Sequence, residues 1–118
     1  MNEPGAEKPV ERLFPLAVSF QKLIVGRDNV SRSKSRLHFV LITTDISEAG
    51  RTDILAEFAH YPVVQRYTGP ELEQLFQVKS VKVIGFQKSD LAKSIYAQLK
   101  GYRLNQPMHP SKGEKKPA

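Results

Sequence analysis

The stretch that decides the fold is a nearly unbroken apolar run at residues 37–43, Leu37-His38-Phe39-Val40-Leu41-Ile42-Thr43. A run this rich in β-branched and aromatic residues is typical of a central strand that is buried on both faces. Segments with helical periodicity alternate with short β-rich segments along the rest of the chain. This alternation predicts an α/β fold, a three-layer α-β-α sandwich around a mixed central sheet that is largely parallel.

The flanking elements follow from periodicity and from turn residues. Leu13, Leu16, Phe20 and Leu23 recur at helical spacing, and residues 23–25 are expected to form a short strand that ends at Gly26. Thr68 and Glu71 have the spacing of a capping box, in which each side chain pairs with the other residue's backbone amide. The elements predicted after the central run are a helix at 51–60, a strand at 63–67, a helix that begins after Thr68, a strand at 81–85 and a helix at 89–100.

The chain divides into a folded unit and two polar ends. Residues 13–101 are predicted to form a single α/β domain, because they contain all the periodic segments. Residues 1–12 are expected to be a flexible N-terminal lead-in. Residues 102–118 are proline-rich, lysine-rich and almost free of apolar residues, which predicts a disordered basic tail.

The composition excludes several classes of function. The 118 residues include no cysteine, which excludes disulfides, thiolate metal sites and thiol nucleophiles. Apolar residues form no run of about 18, the length that a membrane-spanning helix needs, and the acidic start does not resemble a signal peptide. We therefore expect a cytoplasmic monomer without membrane contact.

No catalytic or metal site is predicted. His38, His60 and His109 fall in no spacing that suggests a dyad or a zinc site, and no glycine-rich phosphate loop is present. Acidic residues at 45, 48 and 53 follow the central strand, where a magnesium ion is conceivable. We favour the alternative that these acidic residues complement the dipole at a helix N-terminus. The chain is thus predicted to be no enzyme and to use no cofactor or metal.

Positive charge is concentrated in one segment. The net charge is +6, and residues 22–36 alone carry five basic residues against one acidic residue. Residues 26–36 form a glycine turn followed by basic residues that alternate with hydroxyl residues, a composition suited to holding phosphates and base edges. Read from these residues alone, the pattern favours a solvated connector over a segment that binds phosphates. The basic residues of interest are Arg27, Arg32, Lys34 and Arg36.

The order of the segments resembles that of a known family. The matching segments are Pro15-Leu16-Ala17, Lys22-Leu23-Ile24-Val25-Gly26-Arg27-Asp28-Asn29-Val30, Arg36-Leu37, Asp45-Ile46-Ser47, Pro62-Val63-Val64, Tyr67-Thr68 and Lys88-Ser89-Asp90-Leu91-Ala92-Lys93. Together they resemble the kink-turn RNA-binding ribosomal proteins of the archaeal L-seven-Ae and eukaryotic L-thirty-e type, and most closely the small bacterial members. The resemblance implies an α-β-α sandwich that binds sharply bent RNA internal loops.

The resemblance also implies where RNA would bind. The first segment is the glycine turn with the start of the following helix, and the second is the loop before the last strand. By position these are Gly26, Arg27, Asp28, Asn29 and Val30, and Gln77, Val78, Lys79 and Ser80.

The chain departs from the family pattern in three places. The helix after Gly26 is expected to be shorter, which removes a position where the family has a lysine and leaves Arg32 or Lys34 to replace it. Asp28 and Asn29 stand where ribosomal members have asparagine and glutamate. The glycines of the later helix are replaced by Glu73 and Gln77.

The functional hypothesis is non-catalytic binding of structured, kink-turn-like RNA, in association with the ribosome or with translation. The alternative is a protein-interaction module that kept the fold and lost RNA binding. The shortened helix and the missing glycines favour that alternative.

Overall fold

A computed structural model describes residues 10–105. Five α-helices, four strands and three short 3-10 helices occupy this range. The helices are α1 (Phe14–Ser19), α2 (Arg27–Arg32), α3 (Glu48–Glu57), α4 (Gly69–Phe76) and α5 (Asp90–Leu99), and the strands are β1 (Leu23–Val25), β2 (Leu37–Ile42), β3 (Val63–Gln65) and β4 (Val83–Gln87). The 3-10 helices are Val10–Leu13, Lys34–Arg36 and Lys100–Tyr102.

The strands form one mixed sheet in the order β1-β4-β2-β3. β4 is antiparallel to both β1 and β2, and only the β2–β3 pair is parallel. The prediction of a mixed sheet is therefore confirmed, whereas the expectation of a largely parallel one is wrong. β4 pairs antiparallel with β2 because the chain returns from α4 in the opposite direction to β2.

Two apolar layers cover the sheet, as the predicted sandwich requires. Alternate residues of β2 point to opposite faces, so that Phe39 and Leu41 belong to one core and Val40 and Ile42 to the other. Residues of α1, α4 and α5 complete the first core, and residues of α2 and α3 complete the second. All four of these β2 residues are fully buried, which confirms that the strand is central.

The first helix buries a different face from the one predicted. α1 turns Phe14 and Ala17 into the core, whereas Leu16 is 43% exposed and Phe20 is 62% exposed. The helix is only six residues long and ends before Gln21, which has a φ of 55°. The predicted apolar positions Leu13, Leu16, Phe20 and Leu23 extend past the end of the helix at Ser19. Their spacing therefore indicated the wrong buried face.

The folded unit extends beyond both predicted boundaries. Val10, which we expected in the flexible lead-in, is 5% exposed and packs in the core. At the other end, the N–H of Leu104 donates to the carbonyl of Val63 at 2.8 Å, and the side chain of Asn105 accepts from the N–H of Val63 at 3.1 Å. Arg103 also forms an antiparallel bridge with Val64, so residues 103–105 extend the sheet edge. Residues 106–118 of the predicted tail and 1–9 of the predicted lead-in lie outside the described residues.

Helix starts agree with capping chemistry. The predicted capping box is present, with Thr68 accepting from the amide of Glu71 at 3.3 Å and the Glu71 carboxylate accepting from the amide of Thr68 at 2.8 Å. Ser47 caps α3, so this helix begins three residues earlier than predicted. β4 begins at Val83, two residues later than predicted, after a loop in which Ser80 has a φ of 53°.

Candidate nucleic-acid interface

The glycine turn is anchored to the sheet. Gly26 adopts a φ of 95°, a conformation that residues with a side chain rarely adopt. Its N–H donates to the carbonyl of Val83 at 3.0 Å, at the first residue of β4. This bond holds the entrance to α2 at the end of the sheet where β1, β2 and β3 finish.

The 77–80 loop reaches the same end of the sheet. Gln77 ends α4 in the left-handed conformation, and the N–H of Ser80 donates to the carboxylate of Glu73 at 2.9 Å. Val78 packs partly against the core, while Lys79 is exposed. A shallow groove beside the loop is lined by Pro70, Glu73, Gln74, Gln77, Val78 and Lys79. The structure thus brings the two predicted segments to one end of the sheet.

We call this end the carboxyl-end surface and define it by Gly26, Asp28, Asn29, Arg32 and the 77–80 loop. On its α2 side, the amide of Asn29 donates to the carbonyl of Val25 at 2.9 Å and accepts from the guanidinium of Arg32 at 2.7 Å. These side chains are exposed. Asn29 therefore orients Arg32, and the pair presents donors to solvent.

Val30 has a structural role. It is fully buried and belongs to the second core. Its side chain packs against the middle of β4, where a Cβ on Gly85 would lie 3.4 Å from both of its methyl groups. Val30 is accordingly absent from the surface that α2 offers to a ligand.

Arg27 and Lys34 are bound to the same carboxylate. Arg27 donates to Glu57 from Nε at 3.2 Å and from Nη2 at 2.8 Å, and the Lys34 ammonium lies 3.6 Å from the other oxygen. The hydrogen bond from Arg27 is the main cause of the lowered pKa of Glu57. Lys34 also lies 5.2 Å from the ring centroid of Phe58. These two cations tie α2 and the segment after it to α3, a contact that the sequence did not suggest.

Arg36 is remote from the glycine turn. It precedes β2, and its carbonyl accepts from the N–H of Lys88 at 2.8 Å, just beyond the last residue of β4. Val83 and Gln87 mark the two ends of β4, which at roughly 3.3 Å per residue lie about 13 Å apart. The predicted site residues are therefore divided between two ends of the sheet.

Asp45 has a structural role that sequence reasoning missed. Its carboxylate accepts from the N–H of Gly69 at 2.9 Å and contacts the Lys82 ammonium at 3.1 Å. Both contacts lower the pKa of Asp45, which is about 2, and the hydrogen bond from the Gly69 amide is the largest cause. Asp45 thus clamps the start of α4 to the residue before β4. The one sequence feature that could have indicated this contact is the glycine at position 69, because a Cβ there would lie 3.2 Å from the Asp45 carboxylate.

The described residues offer no constellation for metal binding. Within residues 10–105, no three histidine or acidic side chains are grouped so that they could hold a metal ion. Asp45, one of the acidic residues considered for magnesium, is engaged by an amide and an ammonium group. Over the same range, every helix is too short or too polar to cross a membrane.

The fold is shared with solved structures of low sequence identity. A protein with unknown function from Bacillus halodurans superposes with a TM-score of 0.72 at 17% identity, over 80% of this chain and 99% of that one. The Giardia lamblia 15.5 kD RNA-binding protein superposes with a TM-score of 0.61 at 16% identity, over 79% of this chain and 86% of that one. No family model and no curated protein matches this chain. These likenesses confirm the α/β fold.

Proposed function

We propose that this chain is a non-catalytic module that binds structured RNA through its carboxyl-end surface, with a preference for kink-turn-like internal loops. The observation that carries the proposal is the meeting of the Gly26 turn and the 77–80 loop at one end of the sheet. The likeness in fold to a Giardia RNA-binding protein supports it. Association with the ribosome or with translation is part of the proposal.

Shape and hydrogen bonding, more than net charge, would drive binding at this surface. Asp28 on this surface and Glu73 beside its 77–80 loop balance the two cations Arg32 and Lys79. Lys82 is paired with Asp45 and adds little further charge. Distorted RNA helices and unpaired bases offer donors and acceptors that such a surface can match. Arg32 and Lys79 are the cations that remain available to phosphates.

The test compares a kink-turn RNA with a straight duplex of equal length at low and physiological salt. The unmodified chain should bind the kink-turn more tightly, and the preference should persist at physiological salt. The variant Arg32→Gln with Lys79→Gln should reduce kink-turn affinity. The matched control is Arg12→Gln with Lys100→Gln, because both residues are exposed and lie outside the carboxyl-end surface. Equal affinity for both RNAs would contradict the proposal.

One observation favours the alternative of a protein-interaction module. Glu57 engages two of the cations that the sequence placed at the RNA interface. Absence of RNA binding at low salt would favour this alternative over the proposal.

A further inference from the structure

The positive charge that the carboxyl-end surface lacks is found at the opposite end of the sheet. Lys22 precedes β1, Arg36 precedes β2, and Lys88 follows β4. These three strands are neighbours in the order β1-β4-β2, so the three cations stand side by side. Backbone hydrogen bonds fix them there, from Gln87 to the carbonyl of Lys22 at 2.9 Å and from Lys88 to the carbonyl of Arg36 at 2.8 Å.

A fourth cation comes from α5. Lys93 lies in the second turn of this helix, which begins just after Lys88, and its side chain is exposed. Partial burial lowers the pKa of His38, and the nearby ammonium groups of Lys93 and Lys88 lower it further. The His38 ring, near the start of β2, lies 5.6 Å from the ring of Tyr96, which follows Lys93 by three residues in α5. This contact places Lys93 at the same end of the sheet as Arg36 and Lys88. We define the amino-end surface by Lys22, Arg36, Lys88 and Lys93.

These four cations form no ion pair with the acidic residues of the described range. Within residues 10–105, no carboxylate oxygen lies within 4.0 Å of any of their charged nitrogens. Asp90 is the acidic residue nearest in sequence, in the first turn of α5. Clustered cations without counter-charges repel one another, and that repulsion is relieved when phosphates bind and displace condensed counterions.

An exposed aromatic residue, Phe20, precedes Lys22 by two positions in the chain. Phe20 is 62% exposed, the largest exposure among the large apolar residues described. The turn that follows it is held to the same end of the sheet, because the side chain of Gln87 donates to the carbonyl of Gln21 at 3.4 Å. Aromatic side chains beside a basic surface are the stacking platforms on which unpaired bases rest.

We propose that the amino-end surface is a second RNA-binding site, at which Lys22, Arg36, Lys88 and Lys93 contact phosphates of a single-stranded segment and Phe20 stacks on one of its bases. The inference rests on the proposed function, since the same RNA would engage both ends of the sheet. The two surfaces are separated by the length of β4, so an RNA must continue beyond the kink-turn to reach the second one. The amino-end surface would supply sequence-independent affinity, and the carboxyl-end surface would supply shape recognition.

The experiment uses the full chain and two RNAs, a minimal kink-turn and the same kink-turn with a single-stranded extension of about ten nucleotides, within the site sizes of single-strand binders. The unmodified chain should bind the extended RNA more tightly. Lys88→Gln with Lys93→Gln should remove this gain. The same variant should reduce the slope of log K against log salt by about 1.4, since each lost phosphate contact removes about 0.7 on a single strand. Arg12→Gln with Lys100→Gln, which removes the same charge elsewhere, should change the slope far less.

A second substitution tests the aromatic ring. Phe20→Ala should weaken binding to the extended RNA by about fivefold or more, the lower bound expected for the loss of one stacked base. Leu16→Ala is the control, because Leu16 is exposed like Phe20, lies four residues before it in α1 and carries no π-face. Thermal unfolding should show that both variants fold.

Each failure has its own signature. In one outcome, the variant with Lys88→Gln and Lys93→Gln binds both RNAs as tightly as the unmodified chain does, and the preference for the kink-turn persists. This result would overturn the second site and leave the proposed function standing. Absence of binding to either RNA would overturn both. Equal losses on the minimal and extended RNAs would also overturn a separate single-strand site. Binding to vesicles of anionic lipid that requires the same lysines, without a gain from the RNA extension, would assign the surface to a membrane instead.

Discussion

The carboxylate of Glu57 on α3 accepts two hydrogen bonds from Arg27 on α2, at 3.2 Å from Nε and 2.8 Å from Nη2. The pair joins two helices on the same face of the sheet, and 25% of the Glu57 side chain is exposed. Because Arg27 would otherwise present its guanidinium beside the glycine turn, this contact sets how much unpaired positive charge α2 exposes.

Glu57→Gln should have opposite effects on stability and on RNA affinity. The variant loses an ion pair in which two Arg27 nitrogens donate to one oxygen of Glu57. Solvent partly screens this pair, so the free energy of unfolding should fall by about 0.5–1 kcal/mol. It also frees Arg27 and Lys34, so affinity for kink-turn RNA should rise. Calorimetry and RNA titration measure the two effects. Lower affinity despite a folded variant would contradict RNA contact by this part of α2.

The same pair predicts an acid dependence. The pKa of Glu57 lies below its ordinary value of 4.5 in the folded state, mainly because Arg27 hydrogen-bonds to the charged form. Its stabilising contribution is therefore complete above the unfolded pKa and is lost as the pH falls through the lower, folded pKa. The difference in unfolding free energy between the unmodified chain and Glu57→Gln should be constant near neutral pH and shrink as the pH falls below the ordinary pKa of 4.5. A difference that persisted in acid would show that the charge is unimportant.

Much of the fold, but less of the site, could be predicted from the sequence. The β2 run and the Thr68 capping box are local signals, and both appear in the structure as expected. The face of α1 was wrongly predicted because the helix breaks at Phe20, and nothing in Phe20-Gln21 marks a left-handed residue. Gln21, Tyr67, Gln77 and Ser80 all have positive φ without being glycine or asparagine, so tertiary packing decides those turns.

The site was harder to predict because its contacts join residues that are distant in the sequence. The basic character of residues 26–36 is visible in the sequence, but Glu57 lies thirty residues from Arg27. Asp45 and Gly69 are 24 residues apart. Periodicity reports which face of an element is buried and contains no information on which charges meet. The division of the basic residues between two ends of the sheet could be recognised only from the strand register.

Asp45→Asn should make stability less dependent on pH in the acidic range. In the folded state the pKa of Asp45 is lowered from 3.8 to about 2, first by the Gly69 amide and also by Lys82. Its contribution is thus present above about pH 4 and lost as the pH falls through 2. Asparagine keeps an oxygen for the Gly69 amide and loses the charge that attracts Lys82.

The measurement is the unfolding free energy of both chains from pH 6 to pH 2. Their difference should decline across the lower part of this range. Asp53→Asn is the comparator, since the Asp53 carboxylate makes no hydrogen bond or ion pair within residues 10–105. Identical pH profiles for the unmodified chain and Asp45→Asn would show that the clamp is unimportant for stability.

Gly85→Ala should destabilise the fold by overpacking the centre of the sheet. A Cβ at this position would lie 2.6 Å from Cδ2 of Leu37, closer than carbon atoms can approach. Both residues are buried, so the free energy of unfolding should fall by about 1–3 kcal/mol.

A double-mutant cycle tests this explanation. Leu37→Val removes the δ-carbon in question, so the double variant should lose less stability than the sum of the single variants, by at least about 0.5 kcal/mol. Denaturant unfolding of the four proteins gives the coupling. Strict additivity would mean that a contact other than Leu37 limits the space at Gly85.

Gln77→Gly should stabilise the chain. Gln77 ends α4 with a φ of 58° and a ψ of 46°, a conformation in which glycine has no side-chain strain. The glutamine is exposed, and its side chain makes no hydrogen bond within the described residues, so its removal costs no contact. Relief of the strain, less the greater chain entropy of glycine, should raise the free energy of unfolding by about 0.5–1 kcal/mol.

Gln74→Gly provides a matched control, because Gln74 is an exposed residue inside the same helix. There glycine should lower stability by about 1 kcal/mol, so the same substitution at two positions three residues apart should change stability in opposite directions.

The glycine at position 77 also removes a side chain from the groove beside Lys79. If RNA approaches this loop as proposed, Gln77→Gly should raise kink-turn affinity as well as thermal stability. If the chain binds a protein partner elsewhere, only the stability should change, and the two measurements on one variant therefore separate the two functions.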